Sequence, residues 1–413
     1  MEAQPAQGLL PEVRAQLALA LVCLLFALAC GALAALHYLP SASAWMNARG
    51  GSFAELRPLH TTFASLWIFG AGIAVVYHWL ATHHGGLARA DRARFHAHSA
   101  CWVLAGIGIL VTTLAGYSRG REYLEFHPAW SALFAAGWIL YAWNLLRRLR
   151  HGFWAQPIYL WFWTVGTLFF FVTFAEGHAD LLPGVFASPV RDLQIQWKSC
   201  GTLVGSFNFL MYGSLVYVGE RLSGDPRYAQ SRTAFSLFGV GCLNSFTNYA
   251  HHTYHLPQTP VVKWIAFLVS MAELAILWKV LIDLVRAVRA RAARRACCRA
   301  IWFSGARWWI AAMLATSIAI SVPSWNGLIH GTHVVVAHAM GTTIGIDTLV
   351  LLGCATWLLG ETRAGAFLRG CDPSFYRRAL PWIHASLAVL VLWLAVAGTA
   401  HGVSRWRGEP TPH

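Results

Sequence analysis

The histidines are the residues whose type and placement point most directly to chemistry. The 413-residue chain has 19 of them, and His60, His251, His252 and His338 lie within or at the ends of long apolar segments. Neutral imidazole is the commonest metal ligand, and a histidine in a membrane segment usually faces the bundle interior or a cofactor. One such histidine is more often a structural hydrogen-bonding residue. Four from three separate segments favour the binding of a metal or of haem iron.

Two further side chains extend this set. Glu273 lies halfway along an apolar segment, where an unpaired carboxylate is costly, so we interpret it as functional. The alternative is a protonated glutamate with a structural hydrogen bond. Residues two apart on a helix point about 200° apart, so His338 and Met340 face opposite sides of one helix. That helix can serve two haems, whereas Met340 alone would indicate core packing.

Membrane-spanning helices must position these residues. The composition is 57% hydrophobic and only 12% charged, which is typical of a membrane protein. Apolar runs of about 20 residues, the length that crosses the hydrocarbon core, recur without a linker between domains. We therefore predict an all-α fold, a single polytopic transmembrane helical bundle of about 11–12 spans over residues 1–413. The predicted spans are about 17–38, 59–80, 97–117, 129–147, 157–178, 196–219, 233–254, 261–284, 307–326, 330–358 and 380–400.

The net charge is +14, and the distribution of the basic residues along the chain predicts its orientation in the membrane. Basic residues concentrate in alternate loops, including the Arg-rich loop 285–306, and the positive-inside rule makes those loops cytoplasmic. This pattern is that of a membrane protein and excludes nucleic acid as the partner. We predict a bacterial inner-membrane protein with a cytoplasmic N-terminus and a periplasmic C-terminus. The histidines that flank a cytoplasmic loop are predicted to be solvated: His83, His84, His96 and His98.

The same topology places His60, His251, His252 and His338 at one membrane depth, near the outer surface. None of the nine cysteines forms a C-x-x-C-H motif, so the chain is predicted to attach no covalent c-type haem. Haem in this chain would therefore be held by side-chain ligands alone.

Four ordered stretches resemble the haem–copper oxidase superfamily. They are LRPLHT at 56–61, GREYLE at 120–125, the pair His251-His252, and HGT at 330–332 followed by Ala337-His338. Within the superfamily, the chain is most similar to the catalytic subunits of cytochrome c-dependent nitric oxide reductases and to the neighbouring C-family oxygen reductases. The resemblance covers about residues 15–400.

This resemblance implies two b-type haems and a second metal. His60 and Met340 would be the axial ligands of a low-spin haem, and His338 the proximal ligand of a high-spin haem. A two-His, one-carboxylate set would hold a non-haem iron facing that haem, and such a set suits iron better than copper. Its members would be His251, His252 and Glu273.

The resemblance also covers an acidic loop. Glu122 and Glu125 match family residues near a calcium ion and the haem propionates. The alternative is an ordinary solvated loop.

The chain departs from the family pattern at several positions. Met340 stands where the family has the second low-spin histidine; a thioether also ligates haem iron, and His333 is the alternative ligand. Gly201 and Gly205 stand where the family has a third metal-binding histidine and a glutamate. Both of those side chains are therefore missing.

Two residues are candidates for the missing ligand. They are Cys200, although a buried cysteine is more often inert packing, and His255, just past the histidine pair. A further departure is Ser245, which stands where C-family oxygen reductases have an active-site tyrosine. Complete reduction of dioxygen would lack its tyrosyl donor here.

The resemblance implies an oxidoreductase that carries out 2 NO + 2 e⁻ + 2 H⁺ → N₂O + H₂O, with His338 and Glu273 as catalytic residues. Electrons would arrive through the low-spin haem from a cytochrome c subunit or another donor on the periplasmic side. Two alternatives stay open. One is oxygen reduction with copper in the second site, and the other is a haem-binding sensor or assembly partner without catalysis, which Gly201 and Gly205 favour.

Overall fold

The computed structural model describes residues 9–83, 86–149, 156–185, 187–291, 301–360 and 373–409, and these residues form helices without a strand. Fifteen α-helices follow one another: α1 (Pro11–Leu36), α2 (Pro40–Asn47), α3 (Phe53–His83), α4 (Arg89–Leu114), α5 (Pro128–Leu146), α6 (Ile158–Gly177), α7 (Pro189–Ser223), α8 (Arg232–Thr247), α9 (Tyr249–His252), α10 (Pro260–Arg291), α11 (Ile301–Ser321), α12 (Pro323–Ile329), α13 (His333–Thr342), α14 (Leu349–Gly360) and α15 (Pro373–Trp406). Short 3₁₀ helices occur at Arg147–Leu149, Ala179–Leu181 and Pro226–Gln230, and the π-helical segment Thr343–Thr348 joins α13 to α14.

Ten helical segments in these ranges are long and apolar enough to cross a membrane. The chain is therefore a multi-pass membrane protein of the predicted all-α class. The structure differs from the prediction at the span 233–254. In place of one long helix it has α8, with only 16 residues, and the single turn α9, and Asn248 separates the two. Polar residues from Asn244 to Thr253 shorten the apolar run at this point.

Local signals in the sequence set where several helices begin. Proline occupies the first turn of α1, α2, α5 and α12, where its missing N–H costs no hydrogen bond. The Ser231 side chain accepts a hydrogen bond from the Ala234 N–H at the start of α8. Thr332 caps α13 in the same way through the Val334 N–H. This cap fixes the start of the helix that carries His338.

The chain divides into two compact units, which we describe separately. The N-terminal unit comprises residues 9–156 and 163–210, and within it α1 packs along α3 and α4 along α5. The C-terminal unit comprises residues 157–162 and 211–413, and within it α10 packs against α8 and α11, and α13 against α15. One domain over residues 1–413 stays a prediction.

The predicted Arg-rich loop 285–306 is helical at both ends. Helix α10 continues to Arg291 and α11 begins at Ile301, so only 292–300 remain between them. Those residues lie outside the part of the chain that the structure describes.

One of the histidines predicted to be solvated is buried. His83 and His96 are exposed as expected and His84 lies outside the described ranges, but His98 is fully buried. Helix α4 begins at Arg89, earlier than the predicted span, so His98 already lies in the packed interface between α4 and α5. Its Nδ1–H donates to the Gly137 carbonyl at 2.9 Å.

Small residues bring α1 and α3 close together near His60. A Cβ atom added at Gly31 would lie 2.6 Å from Nδ1 and 2.8 Å from Cε1 of His60. Phe26 on α1 and Phe63 on α3 form a second contact between these helices, an edge-to-face pair with ring centroids 4.5 Å apart. The imidazole therefore fills the space that a side chain at position 31 would need.

We expect Gly31→Ala to displace the His60 ring, because the added methyl group overlaps it and the core cannot expand freely. If His60 binds a low-spin haem, the variant will lose most of the low-spin absorbance while the polypeptide remains folded. Optical spectra of the purified proteins provide the measurement. Gly239→Ala is the matched control, because nothing lies within 4 Å of a Cβ added there. Equal low-spin signals in both variants would contradict the prediction.

Candidate haem and metal centre

His60 has one ring nitrogen engaged and the other available. Its Nδ1 lies 2.8 Å from the Ala27 carbonyl oxygen. A carbonyl only accepts hydrogen bonds, so Nδ1 carries the proton and Nε2 keeps its lone pair. Metal-bound histidines typically have this arrangement, in which the outer hydrogen bond fixes the tautomer and the ring direction. The residue fits an axial haem ligand.

His338 has a similar arrangement in the C-terminal unit. Its Nδ1 lies 3.3 Å from Oγ of Ser317 on α11, and Ser317 is buried. A ring whose Nδ1–H donates to this hydroxyl leaves Nε2 free for iron. The residue therefore also fits a haem ligand.

Met340 follows two residues later on α13 and is partly buried. The α-helical geometry at this point puts Met340 and His338 on opposite sides of the helix. His60 belongs to the N-terminal unit and Met340 to the C-terminal unit, so their joint ligation of one low-spin haem stays a prediction. So does the alternative with His333, at the start of the same helix.

The histidine pair lies on the short helix α9. The rings of His251 and His252 have centroids 4.3 Å apart, and Nδ1 of His251 is 3.3 Å from Oγ of Ser270 on α10. His338 is close enough to interact electrostatically with both. The three histidines that we predicted in this half of the chain therefore gather in one region.

Glu273 is buried beside this pair, and both of its carboxylate oxygens have partners. Oε1 accepts a hydrogen bond from the Tyr212 hydroxyl at 3.0 Å, and Oε2 accepts one from the Asn244 amide. The Ser270 hydroxyl donates to Oδ1 of Asn244 at 2.7 Å and contacts His251. One continuous network thus runs from His251 through Ser270 and Asn244 to Glu273 and Tyr212.

The metal ligands predicted from sequence are only partly assembled. In the ranges that the structure describes, no three His, Cys, Asp or Glu side chains are close enough to hold one metal ion. His251 and His252 fit two ligand positions. The Glu273 carboxylate is turned towards Tyr212 and Asn244, and each of its oxygens has a second lone pair that could bind a metal ion.

The structure shows the surroundings of the two candidate substitute ligands, Cys200 and His255. Cys200 belongs to the N-terminal unit, where its buried Sγ lies 3.9 Å from the Glu122 carbonyl oxygen. His255 is exposed, and its ring is tilted by 39° against that of His330, with ring centroids 4.2 Å apart. The His330 Nε2–H donates to the His252 carbonyl at 3.1 Å. His330 thus supports the histidine pair from outside.

Sequence reasoning missed Tyr212 and Asn244. Asn244 precedes His251 by only seven residues, and this short separation was a usable signal. Tyr212 lies in the apolar run of α7 and its sequence neighbours give no sign of its contact with Glu273. Its role appears only when α7 and α10 are brought together.

The acidic loop between α4 and α5 is organised around Arg57. This guanidinium binds Oε1 of Glu125 and Oε2 of Glu122, both at 2.5 Å. The Thr61 hydroxyl adds a hydrogen bond to Glu125 at 3.2 Å. Glu125 is 4% exposed, which excludes the alternative of a solvated loop for this residue.

The loop has the chemistry of a cation site. Burial raises the pKa of Glu125 above its usual value, and the positive charge of Arg57 opposes that shift. Two carboxylates fit a calcium ion by charge and ligand type, and in this structure the Arg57 guanidinium supplies the positive charge between them. Calcium and haem propionates at Glu122 and Glu125 stay predictions.

We expect Arg57→Gln to lower the free energy of unfolding by about 1–3 kcal/mol, because it leaves the buried Glu125 without its cation; the estimate is reduced since Arg57 is partly exposed. The pKa of Glu125 will rise further, so the folded state will bind its proton more tightly than the unfolded state. The loss will therefore be larger at about pH 8 than at about pH 5. Thermal unfolding provides the measurement.

The double variant Arg57→Gln/Glu125→Gln should recover part of the loss, because it removes the unpaired carboxylate. Arg49→Gln is the control, since Arg49 is a surface residue that stacks on Trp45. The idea fails if Arg57→Gln and Arg49→Gln unfold alike.

Comparison with known proteins identifies the family of the chain. The family model for cytochrome c and quinol oxidase polypeptide I matches residues 13–409. Among solved structures, the chain is similar to a heme-copper terminal oxidase dimer determined by cryo-EM, with 14% identity and a TM-score of 0.57 over 96% of this chain and 85% of that chain. At this identity the similarity shows the fold alone. Comparison with curated proteins gives no match. Because the family model spans nearly the whole chain, this protein belongs to the family of cytochrome c and quinol oxidase polypeptide I, the haem- and metal-binding oxidoreductase subunit of the haem–copper oxidases.

Proposed function

We propose that this chain is the catalytic subunit of a nitric oxide reductase-like complex, which reduces two NO molecules to N₂O and water with two electrons and two protons. The observation that carries the proposal is the network joining His251 to the buried carboxyl group of Glu273. In this network a group able to hold a proton is joined by hydrogen bonds to an imidazole that, in this proposal, would bind the metal. NO coupling needs this combination of a metal site and a local proton source.

The four candidate site residues of the C-terminal unit each have a defined part in this proposal. His338 would hold the high-spin b-type haem, and His251 and His252 the non-haem iron. The bound irons would supply two neighbouring sites for NO and the route for electrons. Glu273 would deliver protons, and its carboxylate would complete the iron ligands.

The choice of NO over dioxygen rests on Ser245. Its hydroxyl donates to the Gly241 carbonyl at 2.9 Å within α8, and the residue is buried. A serine there offers no phenol for oxidation, whereas NO coupling requires none. Oxygen reduction with copper in the second site is the competing reading, and about one copper per chain with little non-haem iron would support it.

The electron donor in this proposal is a cytochrome c subunit on the periplasmic side of the inner membrane. Electrons would enter through the low-spin haem held by His60 and Met340. The fixed tautomer of His60 supports its part in this path.

A second candidate function is a haem-binding sensor or assembly partner without turnover. It is favoured by Gly201 and Gly205, which carry no ligand side chain, and by the incomplete set of metal ligands within the described ranges. Such a protein would bind NO at its haem and form no N₂O.

We expect the purified wild-type protein, given NO and an artificial electron donor, to form N₂O, and Glu273→Gln to slow it by about 10²–10⁴-fold, the usual contribution of proton transfer by a side chain. Haem content should stay unchanged, because glutamine keeps the shape and part of the hydrogen bonding. Glu409→Gln, an exposed carboxylate near Arg407, is the control. Full haem loading with NO bound but no N₂O in the wild type would support the sensor and overturn the enzyme.

We expect Ser317→Ala to weaken the bond between His338 and the high-spin haem iron, because the imidazole loses the hydrogen-bond partner that orients it. Loss of such a partner typically costs about 10–100-fold in metal affinity or activity. Resonance Raman spectra should show a lower iron–histidine stretching frequency. Thr316→Ala is the control, since the Thr316 hydroxyl bonds to the backbone of its own helix. An unchanged frequency in Ser317→Ala would remove His338 from the proximal position.

A further inference from the structure

The N-terminal unit contains a charge cluster that the proposed function does not use. The buried Asp91 carboxylate contacts Arg94 and Arg148 at 2.6 Å each and Arg147 at 3.4 Å. We call these four residues the arginine cluster. Three guanidinium groups on one carboxylate leave the cluster with two uncompensated positive charges.

Two of the three arginines are held firmly. Arg94 also donates from Nε to Oδ1 of Asn144 at 2.6 Å, and the Asn144 amide in turn donates to the Asp91 carbonyl at 3.0 Å. Arg147 has the longest contact with Asp91 and is the most exposed, with 39% of its side chain accessible against 22% and 20% for the other two. Its guanidinium therefore has donors left for a second anion.

A groove begins at Arg147 and follows one face of α5. It has a volume of about 350 Å³ and is lined by Ile139, Ala142, Trp143, Leu146, Arg147 and Phe171. Ile139, Ala142, Trp143 and Leu146 recur at helical spacing on α5. Arg147 follows directly in the short 3₁₀ helix, and Phe171 comes from α6. Ile139 and Trp143 are 52% and 57% exposed, as expected for side chains that face lipid.

The dimensions of this groove match one half of a bilayer. Eight residues of helix from Ile139 to Arg147 rise about 12 Å, and one leaflet contributes about 15 Å of the hydrocarbon core. The charged end of the groove would therefore lie at the membrane surface and its apolar part in the hydrocarbon core. A lipid headgroup and its acyl chain have the same arrangement.

We propose that the groove and the arginine cluster form a binding site for an anionic phospholipid, with an acyl chain along α5 and the phosphate on Arg147. The occupant follows from charge. Basic sites at the ends of membrane helices attract anionic headgroups, and the excess positive charge disfavours the amine of a zwitterionic lipid. Because the loop after α5 belongs to the basic set of loops, the lipid belongs to the cytoplasmic leaflet.

Native mass spectrometry of the full chain in detergent tests the site. Titration with phosphatidylglycerol and, separately, phosphatidylcholine should show one retained lipid with preference for the anionic one. Arg147→Gln should weaken phosphatidylglycerol retention about fivefold, the effect of one basic residue near a charged surface, and leave phosphatidylcholine retention unchanged. Ala142→Leu, which fills the groove without a change of charge, should lower retention of both lipids.

Arg227→Gln is the matched control, because it makes the same charge change at a residue whose side chain is 87% exposed and paired with Asp225. Thermal unfolding midpoints establish that each variant is folded. Equal retention of the two lipids by the wild type would overturn the proposal. So would a loss in Arg227→Gln as large as that in Arg147→Gln.

Discussion

The hydrogen bond on one ring nitrogen of each candidate haem ligand is the interaction on which the site depends. The Ala27 carbonyl accepts the hydrogen bond of His60, and the Ser317 hydroxyl is the hydrogen-bond partner of His338. Each partner lies on a different helix from the histidine that it orients, so helix packing itself sets the direction of the remaining lone pair. A shift of α1 against α3 would turn one ring, and a shift of α11 against α13 the other.

The same demand for satisfied polar groups explains the surroundings of Glu273. A carboxyl group in an apolar bundle is stable only with partners for its oxygens. Tyr212 and Asn244 provide them from α7 and α8, and Ser270 connects Asn244 to His251. The bundle thus stabilises this carboxyl group and, by the same bonds, ties it to the histidine pair.

The sequence was most informative where a pattern follows a simple period or a local motif. Apolar runs identified the membrane helices. The order of the spans along the chain placed His251, His252 and His338 at one membrane depth. It was least informative where contacts depend on packing between distant helices. No rule read along the chain brings Tyr212 to Glu273, and none shows that His98 faces α5 beside the small residue Gly137. The break at Asn248 also went unpredicted, because composition changes there without a proline or glycine.

The π-helical segment Thr343–Thr348 lies directly after the helix that carries His338 and Met340. A π-helical turn accommodates one residue more than an α-helical turn does. The inward face of α14 is therefore displaced by one position from the face that a constant 3.6-residue period, continued from His338, would assign. Any alignment of this helix that counts turns across the segment will assign bundle-facing and lipid-facing positions wrongly beyond Thr348, even where the histidine itself is aligned correctly.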